Sequence, residues 1–314
     1  MDDALSSLLH DVRPRGALFD RSALTPPWSF RFAERTPLAL LTMVRGTAWV
    51  TLEGDPSIPL APRDVLVVVG PEPYTVSDDP GTKPLYVVHG GERCTDPDGR
   101  TPLRPAPVGG YGSDDGQDSA VLLKGTYQVR GSVSQRVLAA LPRVVRVPAM
   151  GEGCPIMELI DRELARSTPG QQVILDRLLD LLLVSSLREW FEQPGDHAPA
   201  WYSAHSDPVI GRALRLIHCD PARPWTVAGL AAEVGVSRAR FARRFSDLVG
   251  QSPMAYLTEW RICRAADLLA ETDATVDAVS RRVGYSNAYA LSVAFKRILG
   301  VRPTEHRALA RPAA

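Results

Sequence analysis

Two stretches of this chain carry the same ordered series of residues, and any fold proposed for it must accommodate both copies. Val227, Leu230, Val234, Gly235, Val236, Ser237, Phe241, Phe245, Gly250 and Pro253 recur as Val276, Val279, Val283, Gly284, Tyr285, Asn287, Leu291, Phe295, Gly300 and Pro303. The offset is 49 positions up to Tyr285 and 50 from Asn287 onward, so the copies differ by one inserted residue. Each copy reads as helix, tight turn, helix. Glycine at 235 and 284 suits a turn with positive φ, and Ser237 and Asn287 are good N-caps for the helix that follows. The pairs Phe241/Phe245 and Leu291/Phe295 lie four residues apart, so one face of that second helix is pinned to a core and the opposite face is left free.

Counted at about 100° per residue, the free face after Ser237 holds Ala239, Arg240, Ala242, Arg243 and Ser246. In the second copy it holds Tyr289, Ser292, Val293 and Lys296. A guanidinium on such a face can pair bidentately with guanine in a major groove, whereas the second set brings one lysine and otherwise hydroxyl or apolar chemistry. Local charge agrees. Although the chain has a formal net charge of zero, residues 206–314 hold 16 Lys and Arg against 10 Asp and Glu, while the remainder holds 20 against 26. One end is suited to phosphate and the other is not. A helix over Pro253 to Glu271 is expected to hold the two units apart. Upstream, Asp207-Pro208 caps a helix with one apolar stripe, Ile210, Ala213, Leu214 and Ile217.

The length of 314 residues allows about two domains. With 45% hydrophobic and 23% charged residues the composition is globular, and no run reaches the roughly 18 apolar residues of a membrane span. Met1-Asp2-Asp3-Ala4 lacks the basic start and apolar stretch of a signal peptide, which places the protein in the cytoplasm. Cys94, Cys154, Cys219 and Cys263 lie far apart with no C-x-x-C pair and no zinc spacing, so free thiols are expected and no metal or other cofactor is implied.

Strand-like runs dominate from about residue 28 to 90: Leu38 to Val44, Gly46 to Leu52, Val65 to Val69 and Leu85 to Val88, separated by turns such as Glu53-Gly54-Asp55 and Asp79-Pro80-Gly81. Asp96 to Ser119 is rich in Pro, Gly and Asp and reads as a mobile loop, after which Ala120 to Tyr127 and Val144 to Val147 resume the strand pattern. From Pro155 the period becomes helical, with a stop at Ser167-Thr168-Pro169-Gly170. The next helix, Val173 to Phe191, is apolar nearly all round. It either packs wholly within its own chain or offers one face to a second copy. The expected organisation is therefore a sensing domain at 1–150, a helical connector or dimerisation segment at 151–192, a linker at 193–206 and a double helix-turn-helix domain at 207–314.

Residues 207 to 307 resemble the DNA-binding domain of the AraC/XylS family. Gly284-Tyr285, Ala294-Phe295-Lys296-Arg297, Gly300, Pro303 and Arg307 are similar to its C-terminal signature, and Trp225-Thr226, Ser237-Arg238, Phe241, Arg243, Phe245, Gly250, Pro253, Tyr256-Leu257 and Trp260-Arg261 to its first half. The resemblance implies double-stranded DNA as partner, contacted through Ser237, Arg238, Ala239, Arg240, Ala242, Arg243 and Ser246 of the first unit. In the second unit the contacts fall to Asn287, Tyr289, Ser292, Val293, Lys296 and Arg297. It departs from the family at Tyr289 and Val293, where polar or arginine side chains are common, and this directs base reading to the first unit. It further implies an effector-responsive activator, a homodimer, a small-molecule effector and a contact with RNA polymerase.

The strand-rich region resembles the cupin-like sensing domain of one branch of that family, at Arg45-Gly46, Leu60 to Val65, Gly125-Thr126-Tyr127 and Leu141-Pro142. The fold class expected is thus α+β and multidomain: a cupin-like antiparallel β-barrel, a helical connector, and an all-α domain with two helix-turn-helix units. Trp28, Trp49, Tyr74 and His89 are candidates for lining a ligand cavity, with core packing or a purely structural histidine as the competing roles. Cys94, beside Arg93 and near His89, is a candidate redox thiol. The rival function is a cupin-type enzyme with an accessory helical domain, but metal-using cupins need a His-x-His pair and further ligands inside the barrel, and the strands hold none. A nonspecific architectural DNA binder is a third reading, distinguished by its lack of preference among sequences.

Overall fold

The computed structural model describes residues 12–13, 22–89, 93–103, 120–129, 135, 138–149, 154–166, 168–193 and 198–310. The chain forms two compact units. One spans Arg13–Gln128 and Leu141–Gln193; the other is built chiefly on Pro194–Ala314.

The first unit contains β1 (Val12–Arg13), β2 (Ser22–Leu24), β3 (Ser29–Phe32), β4 (Leu38–Arg45), β5 (Ala48–Leu52), β6 (Ile58–Leu60), β7 (Val65–Val69), β8 (Tyr74–Ser77), β9 (Tyr86–His89), β10 (Arg93–Thr95), β11 (Pro102–Leu103), β12 (Ala120–Val129) and β13 (Val144–Val147). Among the described residues these make two sheets. One runs β1-β12-β4-β7-β13 with β2 also on β12; the other runs β11-β10-β9-β3-β8-β5-β6. Among the described residues β3 and β9 pair in parallel, while β12 with β2 and β4, β7 with β4 and β13, β8 with β3 and β5, β5 with β6, and β10 with β9 and β11 pair antiparallel. The expected barrel therefore takes the form of two sheets around one core, to which both contribute: Ala39, Leu41, Met43, Leu66 and Val68 from the first, Phe30, Phe32, Val50, Leu52 and Val76 from the second.

Period-2 alternation sets which face each side chain takes. In β5, Ala48, Val50 and Leu52 are buried and Trp49 and Thr51 are half-buried. In β4 six consecutive residues are buried, because that strand is covered on both faces. Its odd-numbered members enter the inter-sheet core. Leu40 faces the other way, in register with Gly125, where a Cβ would lie 3.4 Å from Leu179. Leu179 belongs to α2 (Gln171–Glu192), which follows α1 (Pro155–Leu164), meets the sheet at Leu179 and buries Leu175, Leu182, Leu183 and Leu187 as well. The apolar circumference of that helix is thus divided: those five are buried, while Val173, Ile174 and Leu181 are exposed together with Leu159 of α1. Strands β3, β6, β8 and β10 were not among the expected runs; each is only three or four residues long. Within the Asp96–Ser119 segment, Pro102–Leu103 pairs with β10, and residues 104–119 lie outside the described residues.

The second unit is helical: α3 (Ala200–Ser203), α4 (Ile210–Cys219), α5 (Val227–Glu233), α6 (Arg238–Val249), α7 (Pro253–Glu271), α8 (Val276–Arg282), α9 (Ala288–Leu299) and α10 (Pro303–Ala310). The duplication is visible in the hydrogen bonds that start each helix. The side-chain oxygens of Thr226, Ser237, Thr275 and Asn287 accept from the backbone N–H three residues on, at 3.0, 3.3, 3.1 and 2.8 Å, relieving donors that a helix start leaves unpaired. Gly235 and Gly284 adopt φ of 75° and 81° in the two turns, and Gly250 and Gly300 close α6 and α9 at 80° and 77°. No helix among the described residues is long and apolar enough to cross a membrane.

Asp207, just ahead of α4, acts as a double latch. Its Oδ1 accepts from the N–H groups of Val209 and Ile210 at 3.0 and 2.9 Å, and its Oδ2 accepts from Arg244 of α6, with Nε at 3.0 Å. The Arg244 hydrogen bonds hold the carboxyl below the usual carboxylate range. A carboxyl depressed in the folded state contributes stability above its unfolded pKa and loses that contribution as pH falls through the folded value. Asp207→Ala is therefore expected to cost about 1–2 kcal/mol at neutral pH, as for a lost cap. The gap to the parent should narrow in acid, and thermal unfolding of both proteins at pH 7 and pH 3 checks this.

Candidate nucleic-acid interface

Helix α6 buries Phe241, Phe245 and Val249; Phe245 meets Tyr256 of α7 edge-on at 5.8 Å between ring centroids. That contact turns Arg238, Ala239, Arg240, Arg243 and Ser246 to solvent, with Ala242 half-buried. The Arg243 side chain is 86% exposed, and its Nε lies 3.8 Å from Asp247 Oδ2. An exposed pair one turn apart is worth about half a kcal/mol or less, so Asp247 leaves the guanidinium available to a better acceptor. The Ser237 Oγ is engaged at the N-cap. It is a positioning group for α6 first, with only its O–H left to offer a phosphate.

Helix α9 repeats the arrangement on a different chemical face. Leu291, Ala294 and Phe295 are buried against Ile262, Ala265, Ala266 and Leu269 of α7, so one long helix supports both α6 and α9. Tyr289 and Val293 are 79% and 53% exposed, and Lys296 and Arg297 are exposed beside them. Ser292 is half-buried and donates its hydroxyl to the Ala288 carbonyl at 2.8 Å. Asn287 Oδ1 is held by its cap, and its amide reaches Ser286 Oγ at 3.4 Å. A concavity of about 630 Å³ opens beside α9, bordered by Tyr289, Val293, Lys296, Arg297 and Arg302. Arg302 was absent from the expected set; its only sequence signal is its place just before Pro303, at the start of α10.

Two further arginines, quoted above only as part of a resemblance, fix the frame. Arg261 of α7 donates from Nε to the Pro221 carbonyl at 2.7 Å and from Nη2 to the Arg223 carbonyl at 2.9 Å, tying down the segment that enters α5. Arg307 of α10 donates to the carbonyls of Leu269, at 3.2 Å, and Ala274, at the end of α7 and in the loop into α8. Gly284 completes the contact between the repeats: a Cβ there would lie 2.7 Å from the Ala222 carbonyl oxygen.

The ligand-lining candidates of the first unit do not converge. Trp28 and Tyr74 are buried in the inter-sheet core. Trp49 lies opposite Ser77 and has the parity opposite to Val50 and Val76, which puts it on the other face of its sheet. His89 likewise alternates with Val88, which packs on the core, and its Nε2 contacts Thr95 Oγ1 at 3.1 Å. Four residues of mixed parity cannot line one cavity between the sheets. Burial pushes the Tyr74 hydroxyl pKa well up. Cys94 is 3% exposed, opposite Val88 and Leu103, and is not offered to solvent as an oxidant-sensing thiol requires. Sequence reading missed a buried ion pair in the same unit: Lys124 of β12 with Glu34, the ammonium also 4.3 Å from the centre of the Phe32 ring. Among the described residues no cluster of three His, Cys, Asp or Glu is placed to hold a metal.

A cupin family model matches residues 3–192 and a helix-turn-helix domain model matches residues 230–308. An AraC-like transcription regulator of Streptomyces lividans is 33% identical over 310 residues, covering 97% of this chain and 98% of that protein. The HTH-type transcriptional regulator AlkR of Acinetobacter baylyi is 26% identical over 315 residues, covering 97% and 99%. Among solved structures, the DNA-binding domain of AdpA in complex with a target DNA is 33% identical, covers 35% of this chain and all of that one, and has a TM-score of 0.33. With a cupin domain ahead of two helix-turn-helix repeats and full-length relatives of the same description, the chain belongs to the AraC-type transcription regulators.

Proposed function

We propose that α6 and α9 enter successive major grooves on one face of a promoter duplex, and that the first unit reads sequence while the second chiefly holds the DNA. The observation that carries this reading is the pair of exposed helix faces seated on one helix, α7, with Arg240 and Arg243 on one and Lys296 and Arg297 on the other. For both faces to be used on one side of the duplex, the grooves they enter lie about 10 base pairs apart. The protein so read is a cytoplasmic, sequence-specific regulator rather than an enzyme. Its sheet-rich unit, with the boundaries expected above, receives a small-molecule signal, and the bound complex contacts RNA polymerase as an activator. The exposed apolar residues Leu159, Val173, Ile174 and Leu181 on α1 and α2 support a homodimer formed through that surface.

Hydroxyl-radical footprinting of the full chain on fragments selected from genomic DNA tests the reading. Protection of two major grooves per protomer, about 10 base pairs apart on one face, is the expected result. Protection of a single groove per protomer would rule out tandem insertion.

A further inference from the structure

We infer that α9 recognises DNA through the C5-methyl groups of thymine, with Val293 as the side chain that makes the contact and Tyr289 flanking it. The inference rests on the proposal that α9 lies in a major groove, and to the holding role given to α9 there it adds a weaker base preference and names its chemistry. The 50-residue offset makes positions 239, 243 and 246 of α6 equivalent to 289, 293 and 296 of α9. At the centre of the face, Arg243 in one repeat is thus replaced by Val293 in the other. Valine neither donates nor accepts hydrogen bonds, and thymine alone among the four bases displays an apolar group on its major-groove edge.

Two structural observations and one property of valine point the same way. Val293 is 53% exposed and Tyr289, one turn earlier on the same side, is 79% exposed, so both protrude where a groove floor would be met. A β-branched side chain in a helix is nearly confined to one χ1 rotamer, so the Val293 methyls are presented in a fixed position. Ser292, the hydroxyl between them, is engaged with the Ala288 carbonyl. The surroundings select the occupant: Lys296, Arg297 and Arg302 border the same concavity, and cations around an apolar spot suit a polyanion that carries methyl groups. Phosphates satisfy the rim and thymine methyls cover the centre.

Uracil differs from thymine only by that methyl and keeps the same hydrogen-bonding edge, so it isolates the contact. With the full chain and its selected site, thymines in the groove protected by α9 are replaced one at a time by uracil and binding is measured. One or two replacements should weaken binding roughly fourfold each, the value of one buried methyl group. In Val293→Ala at least one of those positions should become indifferent to the methyl; Val293→Thr, which keeps the branched shape and one methyl, should retain part of the effect. Thermal unfolding of each variant alongside verifies that the fold is unchanged. If α9's groove is protected yet no uracil alters affinity, methyl reading is wrong while groove insertion stands; if Val293→Ala keeps the whole methyl dependence, Val293 is not the side chain that reads it and the assignment fails. If that groove is unprotected, insertion itself fails and the concavity belongs to another partner.

Discussion

Alanine at Gly284 is expected to destabilise the helical unit by about 2–5 kcal/mol, and alanine at Gly235, its counterpart in the first repeat, by about 1–2 kcal/mol. The two glycines share a backbone conformation, with φ of 81° and 75°, so the penalty for placing a Cβ in the left-handed region is common to both. Their surroundings differ. Nothing lies within 4 Å of a Cβ on Gly235, whereas one on Gly284 would meet the Ala222 carbonyl oxygen at 2.7 Å and the Ala222 Cα at 2.9 Å. The Arg261 Nη2, at 2.8 Å, is itself bonded to the Arg223 carbonyl, so moving it aside would cost that hydrogen bond. The Ala222 backbone cannot move aside, because Arg261 bonds the carbonyls on either side of it. Relief must then come from shifting the second turn away from the segment that leads into α5. Gly284→Ala should therefore also lower affinity for a two-groove site more than Gly235→Ala does, since it changes the spacing of the reading helices. Denaturant unfolding of the two variants provides the comparison, and equal losses would show that the steric contact carries no weight.

What was readable in the sequence divides along the line between local and distant interactions. Caps, turn glycines and apolar pairs four apart are local, so the helix-turn-helix repeats and the outward faces of α6 and α9 could be laid out from spacing alone. The sandwich was only partly readable. Strands such as β8, Tyr74–Ser77, bury three of four residues and are too short to show a period. The parallel pairing of β3 with β9 depends on register between segments more than fifty positions apart. The same limit explains the split among Trp28, Trp49, Tyr74 and His89: which parity faces the core is fixed by pairing, not by residue type. Lys124 and Glu34, 90 positions apart, carry no local mark of their ion pair. Arg261 and Arg307 stood out only by resemblance, because a guanidinium that holds backbone carbonyls leaves no periodic trace.

Arg243→Ala is expected to lower affinity for the preferred site by about 1–3 kcal/mol, a factor of roughly 5 to 150, and to change affinity for scrambled DNA little. Arg243 occupies the middle of the α6 face, is 86% exposed, and its competitor among the described residues is an exposed carboxylate 3.8 Å away. Its planar fork can therefore leave Asp247 and pair with the two acceptors on guanine's major-groove edge. Losing that pair removes a contact that exists only on the correct base. Lys296 lies at the rim of the α9 concavity, and in the proposed docking its point charge would meet phosphates that every sequence shares. Lys296→Ala should thus weaken preferred and scrambled sites alike and reduce the slope of log affinity against log salt by about one. Four titrations per variant, on both duplexes at two salt concentrations, separate the two roles. Should Arg243→Ala reduce both affinities equally and flatten the salt slope, while Lys296→Ala alters base preference, then α6 is the helix that holds and α9 the one that reads.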